Sequence, residues 1–278
     1  MKYILVNPLS NNSRGEEALD KVLELVKEEV EVIKVTHINL VDFVSKLNEN
    51  DEIILVGGDG TINNFVNKLE GKIPSNNVYI YPAGTGNDFL KDVGYEGGLF
   101  LLNKYLVNLP KVTVKGKTSY FINGVGFGID GYCCEQGDKL KAQSESKIDY
   151  TSIAIKGLLF HFKKVKATIE VDGQVYNYKN VWIAPTMNGR YYGGGMNMAP
   201  NQDRLNPERT VTNVVYKSWS KLAALIVFPS IFKGEHYKKK NMVKVAIGKK
   251  IKVTFDRPTP LQIDGETVLD VLTYEVEA

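Results

Sequence analysis

A glycine-rich turn is the part of this sequence whose residue types and spacing could do chemistry. Residues 53–56 are four consecutive apolar residues, which predict a strand buried on both faces, and apolar residues at helical spacing follow from Ile62 onward. The turn between them, residues 57–61, reads Gly-Gly-Asp-Gly-Thr. Glycines leave main-chain N–H groups accessible, and the start of a helix adds unpaired donors and the positive end of its dipole. The stretch therefore predicts a place for a phosphate chain.

The residues of this turn alone are compatible with more than one role. The turn lacks the Gly-Lys-Ser/Thr ending of a Walker loop and the spacing of the dinucleotide fingerprint, so we predict neither. A glycine-rich turn can also be plain architecture in an α/β protein. Asp59 would repel phosphate unless it caps the helix or acts through a bound magnesium ion, and we favour the magnesium ion.

A second glycine-rich turn follows the next apolar run. Residues 82–89 read Pro-Ala-Gly-Thr-Gly-Asn-Asp-Phe, which predicts a turn that leads into another helix. Asn and Asp are favoured at the position that caps a helix N-terminus. We therefore expect Asn87 or Asp88 to cap this helix.

Strands and helices alternate through the first third of the chain. Apolar runs predict strands at 3–6, 30–35, 53–56 and 78–81, and helical spacing predicts helices at 16–29, 40–47 and 62–69. Such alternation predicts a parallel sheet with helices on both faces, whose ligand site lies beyond the carboxyl ends of the strands. We expect the residues that follow the strands to converge there: Asn7, Thr36, residues 57–61 and residues 84–87.

The pattern changes near residue 112, where short segments of strand propensity begin to dominate. They are 119–123, 167–171, 181–184, 211–216, 243–247, 251–255, 260–263 and 272–276, and one helix at about 148–160 interrupts them. We predict a nucleotide-binding-type α/β domain over residues 1–112. A separate antiparallel β domain, a sandwich or an open barrel, is predicted over residues 113–278.

Composition indicates an ordinary globular protein. The chain has 278 residues, 43% hydrophobic and 24% charged, and its formal net charge of +3 is too small to indicate a nucleic-acid partner. Cys133 and Cys134 are adjacent and poorly placed to pair with each other, so we expect free thiols in a reducing compartment, with the cytoplasm as the default. The oligomeric state, including a homodimer, is left open.

No targeting or membrane-spanning segment is predicted. The first apolar run ends at Asn7-Pro8, and the longest one, residues 222–232, is broken by Pro229. Lys233 and the lysines at 238–240 follow that run. Such a cluster is most often a solvated face, but a basic edge beside apolar surface also suits peripheral contact with a membrane.

Five motifs follow one another along the chain: Asn7-Pro8, residues 57–61, residues 82–89, Tyr-Gly-Gly-Gly-Met at 192–196 and Gln-Ile-Asp-Gly-Glu at 262–266. In this order they resemble the diacylglycerol kinase catalytic family, which includes bacterial soluble lipid kinases and sphingosine kinases. The resemblance implies a Rossmann-like α/β domain of the NAD-kinase and diacylglycerol-kinase type, followed by an antiparallel β-sandwich. It also implies transfer of the γ-phosphoryl group of ATP, with Mg²⁺, to the hydroxyl of a lipid such as diacylglycerol.

The resemblance assigns roles to particular residues. Asp264 is implied to be the base that takes the acceptor's proton, with Glu266 as its orienter or a rival base. Without the family, Asp264-Gly265 would indicate a plain hairpin turn. The implied nucleotide contacts are Asn7, Thr36, Gly57, Gly58, Asp59, Gly60, Thr61, Asn63, Gly84, Thr85 and Asn87.

One motif departs from the family pattern. Where relatives have an Asp-Gly pair that helps to hold a structural magnesium ion, this chain has Asn206-Pro207, and an amide oxygen binds a hard cation more weakly. A metal site here would run through Asp203, Asn206 and Glu208. Two alternatives to a diacylglycerol kinase stay open. They are a kinase of another alcohol, such as a sphingoid base, a polyprenol or NAD, and a catalytically silent nucleotide-binding homologue.

Overall fold

The computed structural model describes residues 1–6, 14–83, 86–141 and 150–278. The chain divides into two compact units, Met1–Leu109 and Pro110–Ala278. The predicted boundary, between residues 112 and 113, falls just inside the second unit.

A five-stranded sheet in the order β2-β1-β3-β4-β5 forms the centre of the first unit. Strands β1 to β4 are parallel, and β5 is antiparallel to β4. The central strand β3 is buried along nearly its whole length, as its apolar run predicted. The α/β domain with a parallel sheet is thus confirmed. The strands are β1 (Lys2–Val6), β2 (Val30–Lys34), β3 (Glu52–Gly57), β4 (Asn77–Pro82) and β5 (Phe100–Leu101).

Helices connect these strands. The predicted helix over 16–29 is found as α1, which begins at Arg14 and ends at Leu25, because its buried inner face stops near Val26 and charged residues follow. Helix α3 places Ile62, Phe65 and Val66 in the core. The helices are α1 (Arg14–Leu25), α2 (Leu40–Val44), α3 (Asp59–Lys68), α4 (Asp88–Asp92) and α5 (Asn103–Leu106).

Antiparallel strands build the second unit, which confirms the predicted β-rich domain. They are β6 (Lys111–Val114), β7 (Lys117–Tyr120), β8 (Gly124–Phe127), β9 (Val165–Val171), β10 (Gln174–Ile183), β11 (Thr186–Met187), β12 (Tyr191–Tyr192), β13 (Met196–Asn197), β14 (Val211–Lys217), β15 (Val243–Gly248), β16 (Lys250–Ile263) and β17 (Glu266–Glu277). The main sheet runs β7-β6-β17-β16-β8-β11-β14-β10-β9, with β15 paired to β14 and β12 paired to β13 apart from it.

Strand β16 closes this sheet on itself. Its first part pairs with β9 through Ile251–Phe255, its last part pairs with β8 through Leu261–Ile263, and β17 pairs along its other edge. The sequence predicted two strands here because Pro258 and Pro260 interrupt the apolar pattern. The structure has one strand whose register with β17 shifts between Thr254 and Thr259, since proline cannot donate to the ladder.

Helices cover part of this unit, and more of them are present than the sequence predicted. The predicted helix at 148–160 is found as α7 (Tyr150–Lys156), which continues as a π-helical turn over Gly157–His161. Helices α6 (Ile129–Lys141) and α8 (Lys221–Val227) were not predicted, and two 3₁₀ turns follow α8 at Phe228–Lys233 and Glu235–Lys238. Glycines at 131 and 137 and adjacent cysteines obscure the helical period of α6, and α8 is only two turns long. In the part of the chain that the structure describes, no helix is long and apolar enough to cross a membrane.

Candidate functional site

The two glycine-rich turns of the first unit lie against each other at the carboxyl edge of its parallel sheet. The Asp59 N–H donates to the Gly86 carbonyl at 2.9 Å, and the Ala83 N–H donates to the Gly57 carbonyl at 2.9 Å. A β-carbon on Gly58 would overlap the Gly86 carbonyl oxygen, whereas the Gly58 φ of −122° is open to any residue. Close approach of the two turns, and not an unusual torsion, therefore requires glycine at position 58.

The Asp59 carboxylate caps the helix that follows the second turn. Its Oδ2 accepts from the Asp88 N–H at 2.8 Å, and its Oδ1 accepts from the Phe89 N–H at 3.1 Å. Asn87 occupies the N-cap position of α4, as predicted, but its side chain makes no capping hydrogen bond, and Asp59 supplies the side-chain cap instead. The positive end of α4 compensates a buried negative charge, which accounts for an acid in this turn without a metal ion.

The first turn has open space beside Gly60. Among the described residues, no atom lies within 4 Å of the place where a β-carbon on Gly60 would stand, and the same holds for Gly86. At Gly57, by contrast, a β-carbon would overlap the Thr61 side chain. A ligand that approaches the start of α3 would meet bare backbone at Gly60.

Of the other predicted nucleotide contacts, Thr36 and Asn63 lie among the described residues. Thr36 is exposed in the turn after β2, and the neighbouring Val35 N–H donates to the Val6 carbonyl at 3.0 Å, so Thr36 lies at the same sheet edge. Asn63 lies on α3, where its Oδ1 accepts from Asn67 Nδ2 at 3.1 Å. Asn7, Gly84 and Thr85 lie outside the described residues.

Asp264 lies in the second unit, in the two-residue turn between β16 and β17. Asp264 and Gly265 both have positive φ, 46° and 96°, as a type I′ hairpin turn requires. The backbone is thus that of the plain hairpin turn that the Asp-Gly pair indicated. The side chain does more, because its oxygens accept from the N–H groups of Ile122 at 2.6 Å, Asn123 at 2.8 Å and Gly124 at 3.0 Å.

The segment that Asp264 holds is fixed from a second side by residues that sequence reasoning missed. The Arg204 guanidinium donates to the Ile122 carbonyl at 3.2 Å and to Asn123 Oδ1 at 3.1 Å. Asn188 Nδ2 also donates to the Ile122 carbonyl, at 2.9 Å. A signal was present in the sequence, since Asn123 opens a run with glycine at 124, 126 and 128 that follows an apolar pair.

Glu266, the other predicted catalytic residue, begins β17 opposite Ile263 and is exposed. Asp264, by contrast, is half-buried and held by three main-chain donors. Its carboxylate has one fixed direction, which a positioned base needs. The assignment of the base to one of these two carboxylates stays a prediction.

The loop predicted to hold a structural magnesium ion closes on itself. Asp203 Oδ1 accepts from the Leu205 N–H at 2.9 Å, and Asn206 Oδ1 accepts from the Glu208 N–H at 2.8 Å. Asn206 Nδ2 donates to Thr210 Oγ1 at 2.6 Å. Within the described residues, no group of three or more His, Cys, Asp or Glu side chains is placed to hold a metal. These residues fit a metal poorly, because the Asp203 and Asn206 oxygens already accept from backbone N–H groups.

Comparisons with known proteins agree with the two-unit architecture. The model of the diacylglycerol kinase catalytic domain matches residues 2–107, and that of the YegS C-terminal NAD kinase beta sandwich-like domain matches residues 123–276. The chain belongs to the diacylglycerol kinase family. This confirms the resemblance that the five motifs indicated, and it places the chain among lipid kinases.

Individual relatives support this family at low sequence identity. A protein named diacylglycerol kinase from Mycobacterium tuberculosis (strain H37Rv) is 26% identical over 257 residues, which cover 84% of this chain and 78% of the relative. The crystal structure of a diacylglycerol kinase from Bacillus anthracis (strain Sterne) has a TM-score of 0.68 at 23% identity, over 99% and 93% of the two chains. Yeast NADH kinase in complex with NADH has a TM-score of 0.50 at 12% identity, over 100% and 78%. The last two show the fold alone.

A buried acid lies close to the Asp264 turn in this family member. Asp130 Oδ2 accepts from the Tyr192 hydroxyl at 3.0 Å, and a β-carbon on Gly126 would overlap both the Asp130 carboxylate and the Gln262 amide. Gln262 Oε1 in turn accepts from the Gly265 N–H at 2.7 Å. Burial raises the pKa of Asp130 to about 6, although hydrogen bonds from Gly131 and Tyr192 act against that shift.

Alanine substitutions at Gly58 and Gly60 are expected to have different effects on stability, because position 58 is tightly packed and position 60 faces open space. Gly58→Ala should lower the free energy of unfolding by about 1–3 kcal/mol, because its β-carbon overlaps the Gly86 carbonyl. Gly60→Ala should leave stability unchanged or raise it by about 0.5–1 kcal/mol, since alanine favours the helical backbone of α3. Urea unfolding followed by circular dichroism measures both. Equal losses would show that Gly60 is packed as tightly as Gly58.

Asp130→Asn is expected to change how stability depends on pH. The pKa of Asp130 is about 6 in the folded protein against an ordinary value of 3.8, so the folded state holds the proton more tightly than the unfolded chain. Wild-type stability should therefore fall as the pH rises from about 4 to 6, by about 3 kcal/mol from this group. Asparagine removes that loss. Urea unfolding at pH 4.5 and pH 8 measures the free energy of unfolding of both proteins. Relative to the wild type, the variant should be more stable at pH 8 than at pH 4.5. An equal difference at both pH values would contradict the raised pKa of Asp130.

Proposed function

We propose that this protein is an ATP-dependent lipid kinase that transfers the γ-phosphoryl group to the hydroxyl of a lipid such as diacylglycerol. The observation that carries the proposal is the pair of joined glycine-rich turns at the carboxyl edge of a parallel sheet, in a chain that belongs to a lipid kinase family. The relative from Mycobacterium tuberculosis, which is named a diacylglycerol kinase, supports the choice of acceptor.

In this proposal, the first unit binds the phosphates of the nucleotide. The open backbone at Gly60 and the positive end of α3 attract a polyphosphate. Asp59 does not oppose this, because its charge is held by the N–H groups at the start of α4. ATP would bind as its magnesium complex, in which the ion would neutralise charge on the phosphates.

The second unit supplies the carboxylate. The acceptor oxygen forms a bond to the γ-phosphorus while the bond from that phosphorus to the β–γ bridging oxygen breaks, and ADP leaves with the electron pair. The hydroxyl proton passes to Asp264. Phosphoryl transfer depends mostly on positioning, and three main-chain N–H donors fix this side chain in one orientation.

The activity is tested with purified protein and radiolabelled ATP in mixed micelles. Diacylglycerol, a sphingoid base and a polyprenol are offered separately, with NAD as a soluble acceptor. We expect label in phosphatidate only when diacylglycerol and Mg²⁺ are both present. Label in NADP would favour a soluble-alcohol kinase, and ATP binding without turnover on any acceptor would favour a silent homologue.

Asp264→Asn is expected to lower turnover by about 100-fold or more and to leave nucleotide affinity nearly unchanged, as for a positioned base. Glu266→Gln should have a mild effect, because that side chain is exposed. Steady-state kinetics and ATP titration measure both. The opposite ranking would transfer the role to Glu266.

Asn188→Ala is the control for a purely structural effect of Asp264. It removes another hydrogen bond to the same segment, the one to the Ile122 carbonyl, and leaves the carboxylate in place. If Asp264→Asn and Asn188→Ala lower turnover equally at equal melting temperatures, Asp264 acts only by holding residues 122–124.

Gly60→Ala is expected to weaken ATP binding about tenfold or more without loss of stability, because its methyl group stands on the open side of the turn. Isothermal titration with ATP measures the affinity. Unchanged affinity would place the phosphates elsewhere.

A further inference from the structure

The chain's two tryptophans have opposite environments. Trp182 is fully buried, whereas the Trp219 side chain is 80% exposed. Three other large apolar side chains of the second unit are nearly as exposed: Phe160 at 74%, Leu222 at 65% and Ile226 at 70%. We refer to these four side chains, Phe160, Trp219, Leu222 and Ile226, as the apolar face.

The segments that carry this face are joined. The Lys221 ammonium donates to the Leu159 carbonyl at 2.8 Å, which ties the start of α8 to the π-helical turn that bears Phe160. The Lys164 ammonium donates to the Trp219 carbonyl at 2.6 Å. The four exposed side chains therefore belong to one region of the surface.

The support beneath the face is ordered. Leu222 and Ile226 are one helical turn apart on α8, whose other side buries Ala224 and Val227. The Tyr216 hydroxyl donates to the Ala224 carbonyl at 2.7 Å. These contacts fix the backbone of the helix that carries Leu222 and Ile226.

Positive charge predominates around the face. Residues 152–166 and 217–233 contain no Asp or Glu, in a chain whose 35 basic and 32 acidic residues nearly balance. A neighbouring acid, Asp256, accepts from the Lys166 N–H, and the adjacent Arg257 donates to the Lys163 carbonyl. An apolar centre with a cationic rim complements an anionic lipid surface. The lysines of the two segments are Lys156, Lys163, Lys164, Lys166, Lys217, Lys221 and Lys233.

The same charges argue against a second copy of this chain as the occupant. A two-fold contact would place the same patch on both subunits, so lysine would oppose lysine. A membrane that contains anionic lipid carries the opposite charge, and tryptophan is enriched where headgroups meet acyl chains.

We propose that Phe160, Trp219, Leu222 and Ile226 insert into the headgroup region of a membrane that contains anionic lipid, while the surrounding lysines bind the lipid phosphates. Docking needs no phosphoryl transfer, so its failure and that of the proposed kinase activity are distinguishable.

This surface differs from the one that the apolar run 222–232 and the lysines after it predicted. The second half of that run turns inward, since Phe228 and Ile231 are buried. Lys238, in the cluster that follows, pairs with Glu235 at 3.6 Å. The exposed apolar surface therefore combines the start of the run with Phe160 and Trp219, which lie outside it.

Tryptophan fluorescence tests the insertion directly. Vesicles of phosphatidylcholine with about one third phosphatidylglycerol should shift the emission to the blue, and lipids brominated near the headgroup should quench it. Trp182 is shielded in the core, so Trp219→Phe should abolish both changes. No shift with anionic vesicles would overturn the proposal. So would a blue shift that rises with protein concentration in the absence of lipid, because it would identify a second copy as the occupant.

Vesicle sedimentation tests the remaining residues. Phe160→Ser with Ile226→Ser should lower the partition coefficient about tenfold or more, while Ile247→Ser, 60% exposed on β15, should not change it. Lys156→Gln and Lys163→Gln should each lower it about fivefold at low salt, unlike Lys117→Gln on β7. Equal effects of face and control variants, with all of them folded by circular dichroism, would contradict docking through this face.

Discussion

The contact between the Asp59 carboxylate and the first N–H groups of α4 is the interaction on which the first glycine-rich turn depends. It joins Asp59 to Asp88 and Phe89, which lie 29 and 30 positions later in the sequence, and it holds the first glycine-rich turn against the second. Glycine at 58 permits that approach, and the Gly86 carbonyl completes it. A negative charge can therefore stay in a turn whose backbone attracts anions, because a helix dipole neutralises it locally.

The second unit uses the same physical device. Asp264 also extends a carboxylate from a glycine-containing turn to main-chain N–H groups of a distant segment, 140 or more positions away. In both units an aspartate within a family motif organises the backbone by accepting hydrogen bonds from main-chain N–H groups. The buried Gln262 extends this network, because its Oε1 accepts from the Gly265 N–H, so the position of the Asp264 turn depends on a polar group that solvent does not reach.

Much of the first unit could be predicted because its signals are local. Four-residue apolar runs marked β1, β3 and β4, and glycine clusters marked both turns. The partner of Asp59 could not be predicted, because a cap supplied from another turn leaves no mark near α4. In the second unit, β8 reads Gly-Val-Gly-Phe and lacks the alternation of a half-buried strand, although it is fully buried. Arg204 and Asn188 are distant in sequence from residues 122–124, and only the fold brings them into contact. The exposure of Trp219 could not be predicted either, because an apolar residue type does not indicate whether the side chain is buried.

Strand β16 pairs with both β8 and β9, so the sheet of the second unit cannot close until β16 has been synthesised. Strand β9 leaves the ribosome well before residues 251–255, which pair with its outer edge. Strand β8 likewise leaves the ribosome well before its partners, residues 261–263. During synthesis these strands carry open edges that can pair wrongly with other nascent chains. Completion of the closed sheet is thus a late, long-range step of folding, because it brings β16 together with strands made much earlier.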